Sequence, residues 1–326
     1  MYIGTQTACR NETDIQLLAQ LGVRNVDQTP QEPWEEWTTE LLVELRERFD
    51  KHGINLEMIH IPLGSQSAFK NGAGSIFLPP SDERERQLDR MCETVRMAGE
   101  AGLRGLNYNI TILGHLRTEN RYGRGGARLS SFEYDKLDQS LPEFEGGPAD
   151  EDEMWERIQY WLDRIIPVAE EHKVQMACHP SDPGIGVGNT YRGVARVMGM
   201  VEGLKKLTEI YDSPYNGLNF CLGCVSEALE NPAAEVYNVI RWFGERKKIF
   251  NLHFRNIKGG LGNFVEVLPD EGDVNMLKAL RTFKEVGYEY MIMPDHVPGL
   301  VGENGGQVGF AYTYGYIHAL LQAVDE

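Results

Sequence analysis

Short apolar runs alternate with amphipathic segments from one end of this 326-residue chain to the other, and that alternation limits the fold more than any other feature. The runs that read as strands are Tyr2–Thr5, Val23–Asp27, Leu56–Ile61, Gly105–Ile110, Val174–His179, Leu218–Cys221, Phe250–Arg255 and Tyr290–Asp295. Between them stand stretches such as TTELLVELRERFDKHG and DEMWERIQYWLDRIIPVAEEHK, whose apolar residues recur every three or four positions and which close on Gly or Lys, as helix C-termini prefer. Eight strand–helix units predict an α/β fold, a single (β/α)8 TIM barrel over residues 1–326; about 250 residues are typical of that fold and insertions are common. A doubly wound sheet is the second choice. It calls for a glycine-rich phosphate turn after an early strand, and no G-x-G-x-x-G follows the first or second strand here.

Two segments exceed the repeat. Residues 114–150 form a polar insertion after the fourth strand, too long for an ordinary connection and expected beside the active-site face. The second, Val297–Phe310, is glycine-rich and follows the last strand. In a barrel both lie at the C-terminal ends of the strands, where active sites of this fold sit.

The last four strands end on a chemically coherent set. The fifth closes on His179, the sixth on Cys221, the seventh on His253 and the eighth on Asp295, at spacings of 42, 32 and 42 residues. In a barrel these positions converge on one mouth. Two imidazoles, a thiolate and a carboxylate form a ligand set for a divalent transition metal; taken alone it favours Zn2+ without excluding Mn2+, Fe2+ or Co2+. Each member also has an ordinary structural reading, as core histidine, inert buried thiol or helix N-cap. Their joint placement on consecutive strands is what argues for a site.

The net charge of −17 argues against a nucleic-acid or anionic-membrane partner and requires a local basic pocket for any anionic substrate. Arg255 lies two residues beyond His253, so period-two alternation turns both inward, where a guanidinium can grip a carboxylate. Lys258 is a second candidate for the same task. His296, next to Asp295, is a candidate proton carrier because imidazole titrates near neutrality. The first part of the insertion, residues 115–128, brings His115, Arg117, Arg121, Arg124 and Arg128 against Glu119 alone, a candidate anion-binding lid. Glu57, His60, Asn107 and Asn109 are candidate hydroxyl-binding residues at the mouth. Five cysteines, an odd and sparse set, fit a reducing compartment better than a disulfide framework. With no export-signal pattern and no run of about 18 apolar residues, the cytoplasm is the expected location. Cys221 and Cys224 form a C-x-x-C with neither a second pair at zinc-knuckle spacing nor a thioredoxin-like setting. Only Cys221 falls in step with the other strand ends.

At these residues the sequence resembles the mannonate dehydratase family of xylose-isomerase-like barrels. The matching elements are CHPSDP (Cys178–Pro183), NGLNFCLG (Asn216–Gly223), LHFRNIK (Leu252–Lys258) with the following EVLPDEGDVNM, and PDH (Pro294–His296). The resemblance implies a Mn2+-type metal on His179, Cys221, His253 and Asp295, with Arg255 and His296 in catalysis. It further implies removal of water from a hexonic acid to give a 2-keto-3-deoxy acid, and a homo-oligomer. The chain departs from the family pattern at Met293, Val297, Ser181 and Gly184. It also carries Phe310 where the family places a tyrosine, with Tyr312 and Tyr314 close by; Tyr312 is the candidate substitute in substrate binding. Two other readings stay open: a metal-dependent sugar isomerase or epimerase of the same superfamily, and a catalytically silent barrel that binds a sugar acid.

Overall fold

The structure, a computed structural model, describes residues 1–325. Eight strands form the central sheet: β1 (Tyr2–Ile3), β2 (Asn25–Asp27), β3 (Asn55–His60), β4 (Gly105–Asn109), β5 (Gln175–His179), β6 (Asn216–Cys221), β7 (Ile249–His253) and β8 (Met291–Met293). From β2 to β8 each pairs in parallel with its sequence neighbour, and β1 pairs with β8. A bridge from Thr5 to Val26 closes the ring, with Asp27 N–H donating to the Thr5 carbonyl at 2.9 Å. The result is the (β/α)8 barrel, and the doubly wound alternative is excluded by the strand order.

The helices are α1 (Glu12–Gln20), α2 (Thr39–Asp50), α3 (Asp82–Glu100), α4 (Glu151–His172), α5 (Val201–Ile210), α6 (Leu222–Glu227), α7 (Pro232–Glu245), α8 (Met276–Glu285) and α9 (Gly305–Asp325). Local chemistry sets their starts. Asn11 and Asp14 make a capping box on α1, Asp150 and Glu153 make one on α4, and Thr38 and Ser81 cap α2 and α3. None of these helices is long and apolar enough to cross a membrane.

Inside the ring, Met58, Ala177, Phe250, Met291 and Met293 pack as one group. Gly217 is required there, because a Cβ on it would lie 2.5 Å from the Phe250 ring. The N-terminal end is closed by Arg104, which bonds Glu57, the Gln175 side chain at 2.7 Å and the Phe250 carbonyl at 2.9 Å. Glu57 therefore sits at the end opposite the mouth, correcting its expected place; period-two alternation fixes its face but not its height in the barrel.

Beyond the C-terminal end stands a layer the sequence pattern did not reveal. After His253 the chain leaves the barrel and turns into an antiparallel hairpin, Asn256–Gly260 with Asn263–Val267, and the second strand also pairs with Ser131–Glu133 of the insertion. The insertion is thus anchored on the β7 excursion by backbone hydrogen bonds. Within it, Arg121–Tyr122 pairs with Arg128–Leu129.

Candidate metal centre

His179, Cys221 and His253 end β5, β6 and β7, and Asp295 follows β8 by two residues. Their ligand atoms all lie within 4.8 Å of one another. The Cys221↔His253 pairing across β6 and β7 is the register that brings thiol and imidazole level. Cys221 is also the N-cap of α6, its Sγ accepting from the Cys224 N–H at 3.4 Å. Burial opposes a thiolate at Cys221, but the contact with Cys224 and the Arg255 charge hold it well below the usual thiol range. Burial likewise opposes the Asp295 carboxylate, and the neighbouring His296 and His253 charges outweigh it.

The donor set fits a bound divalent cation. His179 Nδ1–H donates to the Pro180 carbonyl at 2.7 Å, which leaves Nε2 with a free lone pair. His253 Nε2 lies 3.0 Å from the Asn219 amide, whose buried oxygen lacks a partner, as does His253 Nδ1. Turning that amide lets its oxygen accept from Nε2–H and frees the Nδ1 lone pair, 3.3 Å from Asp295 Oδ1. Two orphaned atoms are satisfied together if a cation binds between these groups. Among the protein's own groups alone, burial opposes charge on the His253 ring, but Asp295 overrides it and pushes the ring up to about 10.

Above this cluster opens a cavity of about 330 Å3, at the small end of ligand-sized sites, lined by Gln6, His60, Asn109, His115, Arg117 and His296 among others. His296 is half-exposed there, its Nδ1 2.8 Å from Glu266 Oε2 and its Nε2 3.4 Å from Asp295 Oδ2. Partial desolvation at the cavity wall disfavours the charged ring, but Asp295 and Glu266 push it up to about 9. His60 moves the other way, lowered to about 4 by burial and by its neighbours His179 and His253.

Of the residues singled out from the sequence, the four ligand candidates, His296, His60, Asn109, His115 and Arg117 come together at the mouth. Other candidates lie away from the cavity. Arg255 does point inward, but its guanidinium is buried and lies 2.6 Å from Glu227, 3.2 Å from Asp295, 3.4 Å from Glu266 and 3.5 Å from Asp182. It is spent on the protein's own carboxylates and does not face the cavity. Lys258 is exposed on the Asn256–Gly260 hairpin, away from the lining, because the chain leaves the barrel before reaching it. Asn107 is fully buried with its amide on Asp27 and does not reach the cavity. Tyr312 is 41% exposed on α9 and outside the lining, and the Tyr314 hydroxyl is tied to Thr5 at 2.7 Å.

Three of the five lid candidates are likewise ion-paired. Arg117 makes a two-pronged pair with Asp182 at 2.6 and 2.7 Å and also reaches Glu266, Arg121 pairs with Glu133, and Arg124 pairs with Asp270. Glu266, Glu227 and Asp182 are the residues that sequence reasoning left without roles. Glu266 carried a signal: in NFVEV it is the one charged side chain of a strand whose other inner residues are apolar.

The fold and this cavity define a (β/α)8 barrel with a transition-metal ligand set and an ion-paired imidazole at its mouth. The profile of D-mannonate dehydratase (UxuA) matches residues 127–326. "Mannonate dehydratase" of Thermotoga petrophila is 28% identical over 90% of this chain and 88% of its own length, and "Mannonate dehydratase 2" of Halalkalibacterium halodurans is 26% identical over 89% and 88%. The solved mannonate dehydratase of Streptococcus suis serotype 2 superposes with a TM-score of 0.83 at 20% identity, covering 99% of this chain and 93% of that one. The chain belongs to the D-mannonate dehydratase family, a family of metal-dependent hydro-lyases.

Proposed function

We propose that this chain dehydrates D-mannonate or a closely related aldonate to the 2-keto-3-deoxy acid, using Mn2+ held by His179, Cys221, His253 and Asp295. The observation that carries the reading is the convergence of these four side chains within 4.8 Å at the cavity whose wall holds His296. Bound there, the metal would supply Lewis acidity for the charge that builds on the substrate when its α-proton leaves.

Dehydration removes the proton at C2, breaks the C3–O bond with the hydroxyl leaving as water, and protonates the resulting enol at C3. His296 suits one of these proton transfers. Its Nδ1 is held by Glu266, so Nε2 is the nitrogen available to substrate. His60, kept neutral by burial, and Asn109 offer hydrogen bonds to a polyol chain, with Ser65, Thr111 and Ser130 beside them. Arg255 acts from behind the ligands, on Asp295, rather than on the substrate carboxylate. The family resemblance carries a cytoplasmic homo-oligomer with this reading, which sedimentation and fractionation would check.

Incubating Mn2+-loaded protein with a panel of aldonic acids and assaying 2-keto-3-deoxy product tests the proposal. Phe310 at the position of the family's tyrosine is the best support for the third reading, a catalytically silent barrel. The isomerase reading takes over if no acid yields product while sugars exchange their α-hydrogen with solvent deuterium. Tight aldonate binding with neither signal points to a silent binding barrel.

A further inference from the structure

We infer that Glu266 is the positioning residue of the active site: its carboxylate holds Nδ1–H of His296 and so presents Nε2 to the reacting substrate. This rests on the reading of His296 as a proton carrier. Glu266 is 3% exposed, and its two oxygens have separate tasks. Oε2 lies 2.8 Å from His296 Nδ1, while Oε1 meets Arg117 and lies 3.4 Å from Arg255 Nη1.

The two guanidiniums answer an otherwise costly burial. A lone buried carboxylate would be driven toward its neutral form, whereas cations on one oxygen keep the other available as a charged acceptor. The backbone is equally fixed. Asn263–Val267 is the middle strand of its small sheet, paired on one side with Asn256–Gly260 and on the other with Ser131–Glu133, and Glu266 N–H donates to the Ser130 carbonyl at 2.9 Å. His296, by contrast, sits in an irregular loop after β8 with its ring half-exposed, and has no backbone element to orient it. The carboxylate on the rigid strand supplies that orientation. An imidazole bonded at Nδ1 has one nitrogen left for proton transfer, and here that nitrogen belongs to a ring lining the cavity and lies 3.4 Å from the proposed ligand Asp295. The geometry also gives the insertion a purpose: it flanks the strand that carries Glu266, and Arg117 reaches Glu266 from it.

The test compares Glu266→Asp, Glu266→Gln and Glu266→Ala with the parent in Mn2+-loaded protein. Asp keeps the charge for the arginines but falls a methylene short of Nδ1; Gln keeps an acceptor at full reach. Expected are a kcat loss of about a hundredfold for Ala and roughly tenfold or more for Asp, partial recovery for Gln, KM within about threefold and metal content unchanged. Parent-like kcat in Glu266→Asp overturns the inference, and so does a loss that follows metal content or KM instead of kcat. If Glu266→Ala does not fold, the Asp and Gln variants decide alone. A non-kinetic readout is the His296 Nδ1–H signal in nitrogen-15 spectra of Zn2+-loaded protein, expected downfield in the parent and shifted upfield in Glu266→Asp; an unshifted signal also overturns it. His296→Asn separates the two claims. Full activity in that variant removes the proton-carrier reading itself, whereas an inactive His296→Asn beside a fully active Glu266→Asp removes only the role of Glu266.

Discussion

Arg255 Nη1 lies 2.6 Å from Glu227 Oε1, with the two side chains 2% and 0% exposed. A fully buried guanidinium so placed neutralises its neighbours rather than recruiting an anion from solution. Burial and the Asp182 charge push the Glu227 carboxyl well up, against the pull of Arg255. Buried pairs of this kind add little when complete and cost heavily when broken.

Replacing Arg255 by Met is therefore expected to destabilise the metal-free protein by about 3–5 kcal/mol, the usual cost of stranding buried charge. Urea unfolding measures it. A loss below about 1 kcal/mol, the range of exposed pairs, would show that the carboxylates do not depend on this cation.

The two thiols of C-x-x-C should separate cleanly. Cys221 Sγ belongs to the ligand cluster, whereas Cys224 Sγ lies 3.1 Å from Arg255 Nη2 and is pushed well above the usual thiol range by burial and by Cys221. Cys221→Ala should lose most bound Mn2+ on dialysis, and Cys224→Ala should keep it. Equal loss in both proteins would contradict the ligand assignment.

What the sequence disclosed and what it hid have physical reasons. The barrel was legible because strand runs and amphipathic helices obey local periodicities, and the candidate ligands because each ends a strand and strand ends converge in this fold. The hairpin Asn256–Val267 was not, since no Gly or Pro stands between His253 and Lys258 and the departure from the barrel leaves no local mark. Pairing was also hidden. Arg117, Arg124 and Arg255 look like free cations along the chain, but their carboxylate partners lie 65, 146 and 28 residues away. Tyr312 misled for a related reason: sequence distance from Phe310 does not say which side of α9 faces the barrel, and no residue of α9 lines the cavity.

Asp27 gives a pH dependence. It is 2% exposed, its Oδ1 has no partner, and burial raises its carboxyl to about 6 from 3.8 despite the bond from Asn107. Between those two values the native state holds a proton that the unfolded chain has lost, so stability from this group falls as pH rises through that window and stays lower above it. The penalty is about 2–3 kcal/mol at neutral pH. Asp27→Asn should remove it: the metal-free variant should melt higher than the parent at about pH 7.5 and alike at about pH 4. A constant difference across that range would rule out the titration as its source.

Gly223 and Gly315 both lie in helices, and alanine should act on them in opposite directions. A Cβ on Gly223, in α6, would stand 2.6 Å from Arg255 Cζ and 2.8 Å from its Nε. That guanidinium cannot retreat, because Glu227, Asp295, Glu266 and Asp182 surround it. Gly223→Ala must shift either α6, which begins at the proposed ligand Cys221, or Arg255, which bears on Asp295. A cost of about 1–3 kcal/mol is expected from such overpacking, together with weaker Mn2+ retention. A Cβ on Gly315, in α9, would meet nothing within 4 Å, so Gly315→Ala should gain about 0.5–1 kcal/mol from helix propensity and leave metal retention alone. Thermal melts and metal analysis on the pair isolate the steric term from the backbone term. Gly223→Ala with parent-like metal retention would mean that Arg255 does not set the geometry of the ligand cluster.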